Sequence, residues 1–104
     1  MFTVVETSIF RSQANQIWSE AEREAFIEWI STNPEAGEVI PKAEGARKVR
    51  WAMQGRGKRG GARVIYFNLL DDGLIMLIAV YAKNEQENVA PKTVRKRKNE
   101  AQRP

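Results

Sequence analysis

Residues 62–70 (ARVIYFNLL) and 74–81 leave little freedom in how the chain folds, because only Asp71-Asp72-Gly73 separates them. Two β-branched and aromatic runs joined by an Asp-Gly turn read as an antiparallel hairpin. Upstream, residues 46–53 alternate basic and apolar side chains, so a period of two puts Lys48 and Arg50 on one strand face. Val49 and Trp51 fall on the other. Residues 54–61 (QGRGKRGG) form the glycine-rich basic turn between these strands, and residues 2–7 (FTVVET) read as a first strand.

Between the first strand and the rest lies helical spacing. Ile9, Phe10, Ala14, Ile17 and Trp18 recur at helix period over residues 8–18. Ser19 and Glu22 then make a capping-box pattern, opening a second helix with Ala21, Ala25, Phe26, Trp29 and Ile30 on one face. Asn33-Pro34 ends that helix, and residues 35–44 are expected as a loop. The order βααβββ is an α+β arrangement, an antiparallel sheet with a two-helix hairpin on one face. Residues 1–91 are expected to form the domain. Residues 92–104 offer only Val94 and Ala101 as apolar side chains and are expected as a basic tail or frayed helix.

Composition removes several chemistries. The 104 residues suit one domain with a modest core. The longest apolar run, Leu74–Ala82, is too short to span a bilayer, and no basic lead-in to a long apolar stretch suggests secretion. Cysteine is absent, which excludes disulfides, thiolate metal sites and thiol nucleophiles and fits a cytoplasmic protein. Histidine is absent too, so neither the usual general base nor the commonest metal ligand is present.

The net charge of +4 is unevenly spread. Residues 1–41 carry two basic and seven acidic groups, whereas residues 42–63 carry eight basic groups against Glu44 alone. Residues 92–104 add a second basic excess. Clustered charge of this kind is the footprint of a polyphosphate partner. The run GRGKRGG lacks the order of a P-loop and precedes no helix pattern, which argues against a nucleotide triphosphate. Its glycines would instead let the backbone approach a phosphate that Arg56, Lys58 and Arg59 neutralise. Arg63 opens the next strand beside Lys48 and Arg50, and three like charges on one face suggest an anionic ligand. Trp18, Phe26, Trp29 and Phe67 are expected in the core, whereas Tyr66 and Tyr81 are candidates to present a hydroxyl or a stacking ring to a base.

The stretch GARKVRWAMQGRGKRGGARVIYFNLLDDGLIMLIAVYAKNE, with its basic strand, Gly/Lys/Arg loop and strand-opening arginine, resembles the RelE/ParE toxins. GKRGGAR-VIYF followed by YAKNE points to the RelE/HigB-like branch, and the element order extends the likeness over about residues 1–90. The resemblance implies a microbial RNase-like fold and the toxin of a type II toxin–antitoxin system. Such toxins cut messenger RNA in the ribosomal A site, without metal or cofactor, by attack of the 2′-hydroxyl on the adjacent phosphate. It implies the ribosome, messenger RNA and a cognate helix-turn-helix antitoxin as partners, with operator DNA reached only through the antitoxin and no membrane.

On the matching positions, the resemblance implies that Lys48 and Arg50 contact phosphate and help activate the 2′-hydroxyl. It casts Arg63 as the stabiliser of pentavalent phosphorus and Lys83 as a lysine following the last strand. Lys58 and Arg59 match the HigB-type loop, and with Arg56 beside them are expected to bind RNA. Where many relatives have an arginine after that lysine and a tyrosine several residues on, this chain has Asn84 and Ala90, leaving Tyr81 as a substitute. Two alternatives follow: a non-catalytic member that binds RNA or ribosomes, and a ParE-like gyrase-binding toxin, which would need no phosphate-organising cluster.

Overall fold

The computed structural model describes residues 2–51, 61–82 and 91–101. The chain opens with β1 (Thr3–Glu6), then α1 (Ser8–Ile17) and α2 (Glu20–Ser31). The Thr7 hydroxyl accepts from the Phe10 N–H at 3.2 Å and donates to the Leu77 carbonyl at 2.9 Å, so one side chain caps α1 and ties it to the sheet. The expected capping box is present at α2. Glu22 N–H donates to the Ser19 hydroxyl at 3.1 Å, and Ser19 N–H donates to the Glu22 carboxylate at 3.0 Å.

Four further strands complete the sheet: β2 (Glu38–Val39), β3 (Arg47–Trp51), β4 (Ala62–Leu69) and β5 (Leu74–Ala82). Their order is β1-β5-β4-β3-β2. The β4–β5 hairpin turns through a short 3-10 segment, Leu70–Asp72, and Gly73, whose φ of +67° is a left-handed conformation natural to glycine. The sheet is antiparallel except at one edge, where β1 runs parallel to β5. That parallel pair needs a long crossover, which α1, α2 and the inner strands supply. The expected loop at residues 35–44 contains β2, an edge strand paired to β3 through Glu38 and Lys48.

Two cores lie on opposite faces of the sheet. The first packs Phe10, Ala14, Trp18, Phe26 and Ile30 of the helical layer on Val49, Val64, Tyr66, Ile75, Leu77 and Val80. Its rings are contiguous: Trp18 and Phe26 lie 5.5 Å apart, Phe26 and Trp51 5.4 Å, Trp29 and Trp51 5.1 Å between centroids. Such pairs add about 0.5–1.5 kcal/mol each beyond the area they bury. The second core gathers Ala43, Ala46, Ile65, Phe67, Met76, Ile78, Ala79 and Tyr81. Of residues 92–104, expected as a basic tail or frayed helix, those up to Ala101 belong to α3 (Pro91–Ala101). Its inward valine, Val94, is fully buried in that second core.

Gly37 sits where the segment before β2 crosses β3. A Cβ built there would lie 2.8 Å from the Lys48 carbonyl oxygen, a backbone atom that cannot swing away. We expect Gly37→Ala to lower stability by about 1–3 kcal/mol through this overlap, read as an earlier urea midpoint. An unchanged midpoint would show that the crossing has room to spare.

Candidate nucleic-acid interface

The alternation of β3 decides which side chains meet. Val49 belongs to the first core and Trp51 packs against it, so Lys48 and Arg50 face the other way. On β4, Val64 and Tyr66 join the first core while Ile65 and Phe67 join the second, which places Arg63 on the same face as Lys48 and Arg50. Pairing completes the arrangement. Arg50 lies directly opposite Arg63, and Arg63 directly opposite Tyr81, making one row across three strands. The adjacent row on this face is Lys48, Ile65 and Ala79.

Tyr81 reaches this face only because β5 is irregular. Ile65 pairs with Ala79 but Tyr66 pairs with Leu77, so Ile78 has no opposite residue in the register. The bulge shows in the packing as well: Ile78 and Ala79, although adjacent, both contribute to the second core. One extra residue shifts the phase of the strand, and Tyr81 turns toward Arg63 instead of toward the helices. Apolar residues on both sides of the bulge gave the sequence no cue to it.

Exposure grades across the row. Arg50 is exposed, Lys48 and Arg63 are half-buried, and the Tyr81 ring is 4% exposed. Burial raises the Tyr81 pKa above its ordinary value, while the positive charge of Arg63 pulls it down. The phenol is therefore neutral near pH 7 and able to donate a hydrogen bond. Neither Arg50 nor Arg63 is paired with a carboxylate among the described residues. The two ion pairs found there both involve Glu6, bridged to Arg11 at 3.8 Å and Arg23 at 3.4 Å in the helical layer. Two opposed guanidiniums on a partly desolvated face repel each other, and an anion between them would reverse that cost.

Tyr66, the other tyrosine proposed for base contact, has a different place. It is fully buried in the first core. Its hydroxyl donates to the Pro34 carbonyl at 3.0 Å and accepts from the Gly37 N–H at 2.9 Å, fastening the segment before β2. Burial raises its pKa, only partly offset by the Gly37 N–H and the Arg47 charge. Both native tyrosines thus hold their protons more tightly than unfolded ones do. Their contribution to stability is complete below the unfolded pKa of 10.0 and falls as pH rises through the higher folded values. Urea midpoints should drop steeply above that pH, and a Tyr66→Phe variant should show a shallower drop. An equal drop in both proteins would remove Tyr66 from the effect.

Arg56, Lys58, Arg59 and Lys83 lie outside the described residues. Sequence reasoning overlooked α3 as a neighbour of this face. The Lys98 ammonium lies 4.6 Å from the centre of the Phe67 ring, and the Arg95 guanidinium donates to the Lys42 carbonyl. A helix with a single inward valine carries a weak apolar signal, which hid its docking from the sequence.

No protein-family model matches the chain. The architecture does match a known structure. A mutant of the E. coli toxin RelE in the free state aligns over 93% of this chain and 96% of its own, with a TM-score of 0.62 and 13% identity. A copper-bound mutant toxin from Helicobacter pylori aligns over 82% of this chain and 98% of its own, with a TM-score of 0.44 and 12% identity. The RelE alignment takes in nearly all of both chains, including the five-stranded sheet and the two-helix layer. The chain therefore has the RelE-like toxin fold, an α+β architecture whose basic face carries Lys48, Arg50, Arg63 and Tyr81.

Proposed function

We propose that this chain is the toxin of a type II toxin–antitoxin system and cuts messenger RNA on the ribosome, in the manner of the RelE/HigB-like branch. The observation that carries the reading is the Arg50–Arg63–Tyr81 row with Lys48 beside it. The 2′-hydroxyl oxygen of the RNA attacks the adjacent phosphorus as its proton passes to solvent water, and the bond to the departing 5′-oxygen breaks to leave a 2′,3′-cyclic phosphate. Lys48 and Arg50 hold the phosphate and favour the deprotonated 2′-oxygen by their charge. Arg63, at the centre of the row, stabilises the added negative charge on the pentavalent phosphorus. Tyr81, kept neutral by burial, donates a proton to the 5′-oxygen as it leaves. Lys83 and the loop cations Arg56, Lys58 and Arg59 extend the grip on RNA.

The chain has no histidine and none of these groups is a carboxylate, so the ribosome must supply placement of the substrate. Its partners on this reading are the ribosome, messenger RNA and an acidic-surfaced antitoxin with a helix-turn-helix domain, all in the cytoplasm. Asn84 and Ala90, where many relatives have arginine and tyrosine, favour a second reading in which the chain binds ribosomes without cutting. Mapping messenger 5′ ends after induced expression separates the two. Codon-phased cuts within translated regions support the nuclease, whereas intact messages with arrested growth support the binding protein. Rapid cleavage of naked, unstructured RNA would overturn the requirement for the ribosome.

A further inference from the structure

Helix α3 carries five cations in the seven residues 92–98: Lys92, Arg95, Lys96, Arg97 and Lys98. None is in an ion pair with a carboxylate among the described residues, where both ion pairs belong to Glu6. Lys92 with Lys96, and Arg95 with Lys98, are neighbours on the helix surface, so their repulsion opposes the helix itself. Arg97 adds to the cost, since its buried Nη1 has no acceptor among the described residues. Against these terms stand Val94 in the second core, Lys98 over Phe67 and the Arg95 bond to the Lys42 carbonyl. A helix held this sparingly yet charged this densely would gain from an anionic ligand along it.

Its position says which ligand. Val94 and Phe67 belong to the second core, so α3 docks on the sheet face that carries Lys48, Arg50 and Arg63. Phe67 is four residues along β4 from Arg63 and on the same face, about 13 Å at the rise of a strand. Lys98 marks the far end of that interval. The α2 glutamates Glu20, Glu24 and Glu28 are exposed in the opposite layer. A polymer with regularly spaced phosphates that enters at Arg63 meets a second set of cations a few nucleotides later.

We infer that α3 is a second phosphate-binding element for single-stranded RNA, holding the strand a few nucleotides from the phosphate at Arg63 through Lys96, Arg97 and Lys98. The inference rests on the RNA-cutting reading of the strand cluster and extends it along the substrate. Short RNA therefore engages the strand row alone, and longer RNA engages both elements.

The test measures binding of the full chain to 2′-O-methyl RNA, which lacks the attacking hydroxyl and stays intact. One oligonucleotide has two nucleotides and the other about twelve, within the span that single-strand sites occupy. Replacing Lys96, Arg97 and Lys98 together by Gln should weaken binding of the longer RNA at least tenfold and flatten its salt dependence by roughly two logarithmic units per decade. Affinity for the dinucleotide should not change. Lys92→Gln with Lys96→Gln, both exposed, leaves every anchor of α3 in place and should weaken only the longer RNA, though less. Equal effects on both lengths, or none on either, would overturn the inference. Polyglutamate bound as tightly as the longer RNA, and weakened as much by the same substitutions, would overturn it in favour of an acidic protein partner. A length effect without ribosomal cleavage would support the role of α3 while removing the nuclease reading.

Discussion

Cells expressing Arg63→Ala are expected to grow as if no toxin were present, although the protein folds. Arg63 is half-buried at the start of β4, outside both cores, so its truncation creates no cavity in either. It also relieves the repulsion with Arg50 directly opposite. The transition state of the proposed cleavage loses more. Arg63 is the one cation flanked on both sides across the sheet by other members of the row, and on that proposal the charge it faces appears only as phosphorus becomes pentavalent. Removing one such donor costs about 10²–10³ in rate. Single-turnover cleavage on programmed ribosomes should fall by that factor, with an unchanged urea midpoint. A folded Arg63→Ala variant with full toxicity would place the chemistry elsewhere.

The largest expected loss of stability belongs to Phe26→Ala. The ring is fully buried and touches Trp18, Trp29 and Trp51, which joins both helices to β3. Because the neighbours are large and mutually braced, the vacated volume cannot close easily. The cost should be about 3–5 kcal/mol, a large share of the roughly 5–15 kcal/mol that holds a domain together. Urea denaturation followed by tryptophan fluorescence measures it. A loss below about 1.5 kcal/mol would mean that the aromatic cluster repacks freely.

Features that depend on neighbouring residues were legible in the sequence. Ser19 and Glu22 announce their helix by spacing alone, and Asp71-Asp72-Gly73 announces the hairpin. The shared face of Lys48, Arg50 and Arg63 followed from period-two alternation on two adjacent strands. Features settled by distant partners were not. Glu38 and Val39 become a strand only because β3 lies beside them, and the parallel direction of β1 depends on β5, some seventy residues away. Tyr66 and Tyr81 are alike in sequence terms. One is fixed by Pro34 and Gly37, and the other by a bulge that its own strand does not signal.

That bulge divides β5 into two phases, and the division bears on which mutations the chain can survive. A one-codon deletion between Leu77 and Val80 would restore regular alternation while leaving composition almost unchanged. Tyr81 would stay opposite Arg63, because the deletion removes the one residue without a partner and leaves the pairing on both sides of it intact. A one-codon insertion there, with the bulge kept, would instead turn Tyr81 toward the helical layer, and the site would lose its hydroxyl without any substitution at the site. Along the nine residues of β5 the site thus tolerates loss of the unpaired residue but not gain of another.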